Sequence, residues 1–241
     1  MTSPARLDAL ASRLEAPLLV TRAPNLRYLI GYTGSNGYLL VRPGGEATFL
    51  TDGRYGESAR ALTAGLPGVR VEVYSSDLWK ALGGICAGLP AIDLEASGVT
   101  WEFARNLQEK SGVTPGVGTG IVEDLRRAKD GGELASLRAA AAAGDAAFAG
   151  LRVLRKACAT EADLAWELVA EMRRRGGEPA DWPAIVAAGA ASSIPHYETS
   201  PVPLGSGLLL LDYGCEVDGY HSDMSRTVWL DGAPDAKWQH I

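Results

Sequence analysis

Short apolar runs alternate with amphipathic stretches through the first half of the chain. Leu18–Val20, Gly37–Val41, Ala47–Leu50, Val69–Tyr74 and Ala91–Leu94 are rich in Val, Ile, Leu and aromatic residues and are predicted strands. Gly56–Ala64, Asp77–Ala87 and Thr100–Gln108 are predicted helices. Near the start, Leu7, Leu10 and Leu14 recur at helical spacing. Strand and helix in alternation predict an α/β domain. The segment SGVTPGVGTG, residues 111–120, reads as a loop because Gly, Thr and Pro dominate it.

The texture then changes. Leu134, Leu137, Ala141, Phe148 and Leu151 fall at helical spacing in an alanine-rich run, so a long helix is expected with those residues on its buried face. The run Ala139–Ala143 is helix packing. A second helix is expected to start at Thr160, where Asp163 completes a capping box. Leu164, Leu168 and Met172 line one side of it, and Gly176–Gly177 ends it. Strands follow at Ala184–Ala188, Leu208–Tyr213 and Tyr220–Leu230. The boundary between domains is expected near residues 121–132, giving domains over 1–125 and 126–241.

Within the last hairpin, LLLLDYGCEVDGYHSDMSRTVWL, two aspartates interrupt an otherwise apolar pattern. With Val217–Asp218 as the centre of a tight turn, the strands pair 216 with 219, 214 with 221 and 212 with 223. Asp212 and Asp223 then stand directly opposite on one face, with Cβ atoms about 5 Å apart. Two carboxylates at that spacing repel by roughly 3 kcal/mol at an effective dielectric near 20. Three readings are open: a shared proton, a divalent cation held between them, or two aspartates simply solvated at strand ends. Cys215 has the opposite parity and reads as a packing residue, and Asp218 as a turn residue. His221 shares the parity of the aspartates and is expected at the surface or behind the site.

Composition narrows the field. The 241 residues are 46% hydrophobic and carry a net charge of −6 without a basic stripe, which argues against a nucleic-acid partner. No apolar run is long enough to span a bilayer, so no membrane association is expected. The three cysteines, Cys86, Cys158 and Cys215, are odd in number and form no CxxC, so a reducing cytoplasmic location is expected.

The motifs, taken in order, resemble metallopeptidase family M24, in the branch of Xaa-Pro aminopeptidases and prolidases. NLRYLIGYTGSNGYLLV and TFLTDGRYGESA are similar to the creatinase/prolidase N-terminal domain. LRRAKDGGELASLRAAAAAGDAAF resembles the helix that opens the catalytic domain. DWPAIVAAGAASSIPHYETS resembles the segment carrying a substrate-facing histidine, and LLLDYGCEVDGYHSDMSRTV the first metal-binding hairpin. The resemblance implies an α/β creatinase-like domain followed by an incomplete α+β pita-bread catalytic domain. It makes Asp212 and Asp223 metal ligands, the second bridging, and His196 the residue that hydrogen-bonds the substrate. It places Thr227 in support of Asp223, and Arg54 and Tyr55 as a structural pair or a reach toward a neighbouring subunit. It further implies two divalent metal ions, Mn²⁺ first with Co²⁺ or Zn²⁺ as alternatives, a proline-containing dipeptide or peptide substrate, and a homodimer.

The family's metal site also uses a histidine and two glutamates downstream. After Asp223 the chain offers only His240, in the context APDAKWQHI, which does not match. A C-terminal segment supplying those three ligands is therefore expected as a partner, and the chain alone is expected to be inactive. Two alternatives are a pita-bread protein that only binds partners and a metal-free hydrolase resembling creatinase. The retained aspartate pair argues against both.

Overall fold

Strands β1 (Leu18–Val20) and β2 (Tyr38–Val41) are apolar at nearly every position, the signature of strands covered on both faces. The computed structural model, which describes residues 4–234 together with Ala236 and Trp238, bears this out. The chain divides into two compact units, residues 1–129 and 130–241.

Unit 1 runs α1 (Pro4–Ala11), β1, α2 (Ala23–Ile30), β2, β3 (Ala47–Asp52), α3 (Gly56–Thr63), β4 (Val69–Tyr74), α4 (Leu78–Ile85), β5 (Ala91–Glu95), α5 (Trp101–Ser111), β6 (Thr114–Gly118) and α6 (Ile121–Arg127). Its six strands form one mixed sheet in the order β4-β3-β2-β1-β5-β6. Alternate residues feed two cores. Leu18, Val20, Leu39, Val41 and Phe49 join Leu7, Leu10 and Leu29 in one. Leu19, Leu40 and Leu50 join Leu82, Ile92, Leu94 and Leu107 in the other.

Two elements of unit 1 depart from the sequence pattern. Residues 114–118, expected as loop, form β6, an edge strand parallel to β5. A Cβ at Gly116 would stand 2.2 Å from Asp93 Oδ1, and one at Gly118 2.8 Å from Leu18 Cδ1. The glycines thus permit close approach, and Pro115 is tolerated because an edge strand pairs on one side only. Helix α2 was hidden inside an apolar stretch. Its signals are Pro24 in the first turn and Gly31 at φ 72° after its end.

Unit 2 runs α7 (Gly131–Ala149), α8 (Leu151–Ala157), α9 (Glu161–Arg174), β7 (Glu178–Pro179), β8 (Ile185–Ala188), a 3₁₀ turn (Gly189–Ser193), β9 (Gly207–Tyr213), β10 (Cys215–Val217), β11 (Tyr220–His221) and β12 (Met224–Leu230). The strands form two three-stranded sheets, β12-β9-β8 and β11-β10-β7. The expected capping box of Thr160 with Asp163 closes at the start of α9, and a second one, Asp130 with Glu133, opens α7. Leu164, Leu168 and Met172 are buried as expected.

The buried stripe of α7 is a correction. Ala140, Ala143, Gly144 and Ala147 face the core, whereas Leu134 is exposed; Phe148, packed against the core, and the buried Leu151 keep to the expectation. Small side chains let the helix descend onto the sheet: a Cβ on Gly144 would stand 3.1 Å from Met224 and 3.5 Å from Tyr213. Leucines on that face would hold the helix away. Among the described residues no helix is long and apolar enough to cross a membrane.

Candidate metal and substrate site

Strand β9 is the centre of its sheet and alternates strictly. Leu209, Leu211 and Tyr213 are buried beneath the helices, while Leu208, Leu210 and Asp212 occupy the opposite face. Asp212 is half-buried there, opposite Ile185 on β8 and Ser225 on β12.

The hairpin register differs from the expected one by two residues. The tight turn is centred on Asp218–Gly219, with φ of 50° and 79°, so that Val217 pairs with Tyr220 and Glu216 with His221. Two successive left-handed residues make the turn whose twist suits a hairpin, and Asp-Gly is a favoured pair for it. Asp212 is therefore not directly opposite Asp223. A slip of two preserves the side-chain parity, however, and both aspartates line one cavity of about 590 Å³. Diagonal neighbours on a sheet stand roughly 7 Å apart, which lowers the mutual repulsion to about 2 kcal/mol at the same dielectric. Asp223 is exposed and Asp212 half-buried, so solvent moderates the repulsion further.

Asp223 owes its placement to a break in the ladder. Between β10–β11 and β9–β12, residues 214, 222 and 223 leave regular pairing. The amide of Ser222 still donates to Cys215 O at 2.9 Å. The Cys215 amide, however, donates to Ser222 Oγ at 3.2 Å. A Cβ at Gly214 would lie 2.0 Å from the Ser222 carbonyl oxygen, so only glycine allows this approach. Cys215 itself is fully buried, with Sγ 3.3 Å from Ala140 O, in keeping with its packing role.

The rest of the cavity comes from the start of β8 and the segments flanking that strand: Trp182, Pro183, Ala184 and Ile185 on one side, His196, Tyr197, Glu198 and Thr199 on the other. His196 is exposed and has φ 52°, a left-handed conformation uncommon outside glycine. Its loop is tied down by two neighbours. The Tyr197 hydroxyl donates to Glu161 Oε2 at 2.9 Å. The Val186 amide donates to Thr199 Oγ1 at 2.8 Å. Trp182, Tyr197 and Thr199 lie within the segment DWPAIVAAGAASSIPHYETS, but nothing in the sequence marks Glu161; only the return of the loop onto α9 and β8 joins it to Tyr197.

Other sequence candidates fall elsewhere. His221 packs against Trp182, ring centroids 5.4 Å apart, with Nε2 3.3 Å from Glu216 Oε2, and so stands behind the cavity wall. Thr227 pairs with Leu210 and lines a separate cavity with Leu208 and Trp229. Four strand positions, about 13 Å, separate it from Asp223, which is too far for direct support. His240 lies outside the described residues. In unit 1, Arg54 forms a 2.7 Å ion pair with Asp52 and lies over the Tyr55 ring. The hydrogen bonds from Arg54 and then Asn36 hold the Asp52 carboxyl well below the usual range.

The donor chemistry at the cavity suits a hard divalent cation, since its three acidic residues, Asp212, Asp223 and Glu198, offer carboxylate oxygens. Their placement does not: the described residues contain no group of three or more His, Cys, Asp or Glu side chains placed to hold a metal. Asp212 and Asp223 by themselves do not make a complete metal site.

Comparison with known proteins agrees with this division of the chain. Residues 6–128 match the creatinase/prolidase N-terminal domain and residues 135–241 match metallopeptidase family M24. The Bacillus subtilis protein named uncharacterized peptidase YqhT is 33% identical over 230 residues, covering 93% of this chain and 63% of its own length. A putative Xaa-Pro aminopeptidase of Mycoplasma pneumoniae is 25% identical over 221 residues, covering 90% of this chain and 60% of its own. The chain thus spans somewhat less than two thirds of these relatives. Among solved structures, the Xaa-Pro dipeptidase from Bacillus anthracis superposes with a TM-score of 0.89 at 26% identity, over 98% of this chain and 67% of that one. Unit 1 is accordingly the α/β creatinase-like domain and unit 2 part of the α+β pita-bread domain. The chain belongs to metallopeptidase family M24, with the family's creatinase/prolidase N-terminal domain ahead of it.

Proposed function

We propose that this chain supplies the substrate-facing and first metal-binding half of a peptidase that hydrolyses the Xaa-Pro imide bond. The observation that carries the reading is the single cavity shared by Asp212, Asp223 and His196. The names of the relatives support the substrate class. The imide nitrogen before proline bears no hydrogen, so peptidases that depend on a main-chain donor there bind it poorly. An open cavity with a histidine donor and an apolar wall of Trp182, Pro183 and Ile185 suits it better.

In this reading Asp212 and Asp223 hold divalent cations, Mn²⁺ by the oxygen-rich donors, with Co²⁺ or Zn²⁺ as alternatives. Such ions, when bound, supply Lewis-acid chemistry. His196 donates a hydrogen bond to the carbonyl oxygen of the residue before proline as charge develops on it. The completing ligands, a histidine and two glutamates, come from outside these residues, because two carboxylates alone bind divalent cations weakly.

The test compares Ala-Pro hydrolysis with Mn²⁺ by these 241 residues alone and by a polypeptide that extends them with the completing histidine and glutamates. Only the second is expected to turn over. In it Asp223→Asn lowers kcat about a hundredfold or more while the fold is retained. Wild-type turnover by that variant, or clear Mn²⁺-dependent hydrolysis by the 241 residues alone, refutes the reading.

A further inference from the structure

Glu161 takes no part in the chemistry above, yet its side chain is fully buried. It is the first residue of α9, where the helix end favours negative charge. Its oxygens are used on two other segments. Oε1 accepts the amide of Ala188, at the end of β8, at 2.7 Å. Oε2 accepts the Tyr197 hydroxyl at 2.9 Å. A carboxylate is tolerated in such a place only when hydrogen bonds replace its water, and bonds to a charged acceptor are the strong ones.

Tyr197 adjoins His196, the left-handed residue of the cavity. A non-glycine residue stays in that region only where its surroundings over-determine it. Those surroundings are visible. The Tyr197 hydroxyl also lies 3.2 Å from Ser200 Oγ. The amides of Glu161 and Ala162 donate to the carbonyls of Val202 and Ser200 at 3.0 and 3.2 Å. The loop after His196 is therefore stitched to the start of α9, and the Glu161 carboxylate is the one buried charged group in the stitch. We propose that Glu161 is a positioning residue: through Tyr197 it fixes the left-handed backbone of His196, and thereby where the imidazole stands in the cavity.

The first readout needs no enzymatic activity. The chain has three histidines, so ¹³C labelling of histidine gives three imidazole signals, and His196→Ala identifies the relevant one. Glu161→Gln and Tyr197→Phe should each move the His196 signal and leave those of His221 and His240 in place, with the far-UV circular dichroism unchanged. A His196 signal unmoved in both variants overturns the proposal. If Glu161→Gln does not fold, Tyr197→Phe alone decides, since it removes one hydroxyl and keeps the ring. The second readout rests on the peptidase reading. In the polypeptide with completing ligands, Tyr197→Phe should lower kcat about tenfold with KM nearly constant, as expected when an oriented group is displaced. Unchanged kcat overturns the positioning role. Absence of Xaa-Pro hydrolysis by the wild type overturns the peptidase reading instead, and the imidazole signals still decide the role of Glu161.

Discussion

Replacing Gly214 by alanine probes the feature that places Asp223. Gly214 is buried between β9 and β10, and its φ is not left-handed, so the glycine serves close approach rather than an unusual torsion. An added Cβ would meet the Ser222 carbonyl oxygen at 2.0 Å, and the Ser222 carbonyl carbon and Trp182 Cζ2 each at 3.1 Å. Where side chains can yield, overpacking costs about 1–3 kcal/mol. Here the obstacle is backbone, and moving it also loosens the 2.9 Å bond from Ser222 N to Cys215 O and the 3.2 Å bond from Cys215 N to Ser222 Oγ. Each such bond contributes about 1 kcal/mol, so the total loss is about 3–5 kcal/mol. For a unit of this size that lowers the melting temperature by roughly 12 °C or more. Thermal unfolding followed by circular dichroism and tryptophan fluorescence measures it. Gly131→Ala is the control within unit 2, because a Cβ there meets nothing within 4 Å and sits at the first position of α7. It should be neutral or stabilising by up to about 1 kcal/mol. If Gly214→Ala melts within about 2 °C of wild type, the close approach does not hold the hairpin as described.

Two further outcomes follow from buried groups. The Tyr213 hydroxyl is buried without a hydrogen-bond partner among the described residues, so Tyr213→Phe should be neutral or up to about 1 kcal/mol more stable in urea unfolding; a loss larger than that would show that the hydroxyl has a partner. Burial pushes the Cys86 thiol up to about 11, so at pH 8 it is protonated, and it should resist a disulfide reagent in the native chain while the half-buried Cys158 reacts slowly. Thiolate, and with it reactivity, should appear at Cys86 only as pH rises toward 11; stoichiometric labelling of Cys86 at pH 8 refutes its burial.

Much of the architecture is legible because local rules suffice for it. Both units' main strands follow from apolar runs, and the start of α9 follows from Thr160 and Asp163, whose bonds close within four residues. The parity of Asp212 and Asp223 is equally local, since side-chain direction alternates with period two whatever the register, provided the slip is even. That is why the two aspartates reach one cavity even though the expected pairing of 212 with 223 is replaced by 212 with 225.

What the pattern could not supply depends on which surfaces meet. The inward face of α7 is its alanines rather than its leucines, because the sheet beneath leaves room only for small groups beside Gly144. The strand over Thr114–Gly118 exists because β5 offers an edge that glycines can approach. The turn at Asp218–Gly219 competes with its neighbour one residue earlier, and the ladder on either side of Gly214 settles it. Glu161 and Tyr197 show the same limit at the site. They are far apart along the chain, and only the return of the 196–202 segment onto α9 and β8 joins them. Sequence alone thus determined most of the strands and helices and the side of the sheet that carries the acids, because these depend on neighbours in the chain. Tertiary structure decided the register, the packed faces and the setting of His196, because these depend on which atoms fit against one another.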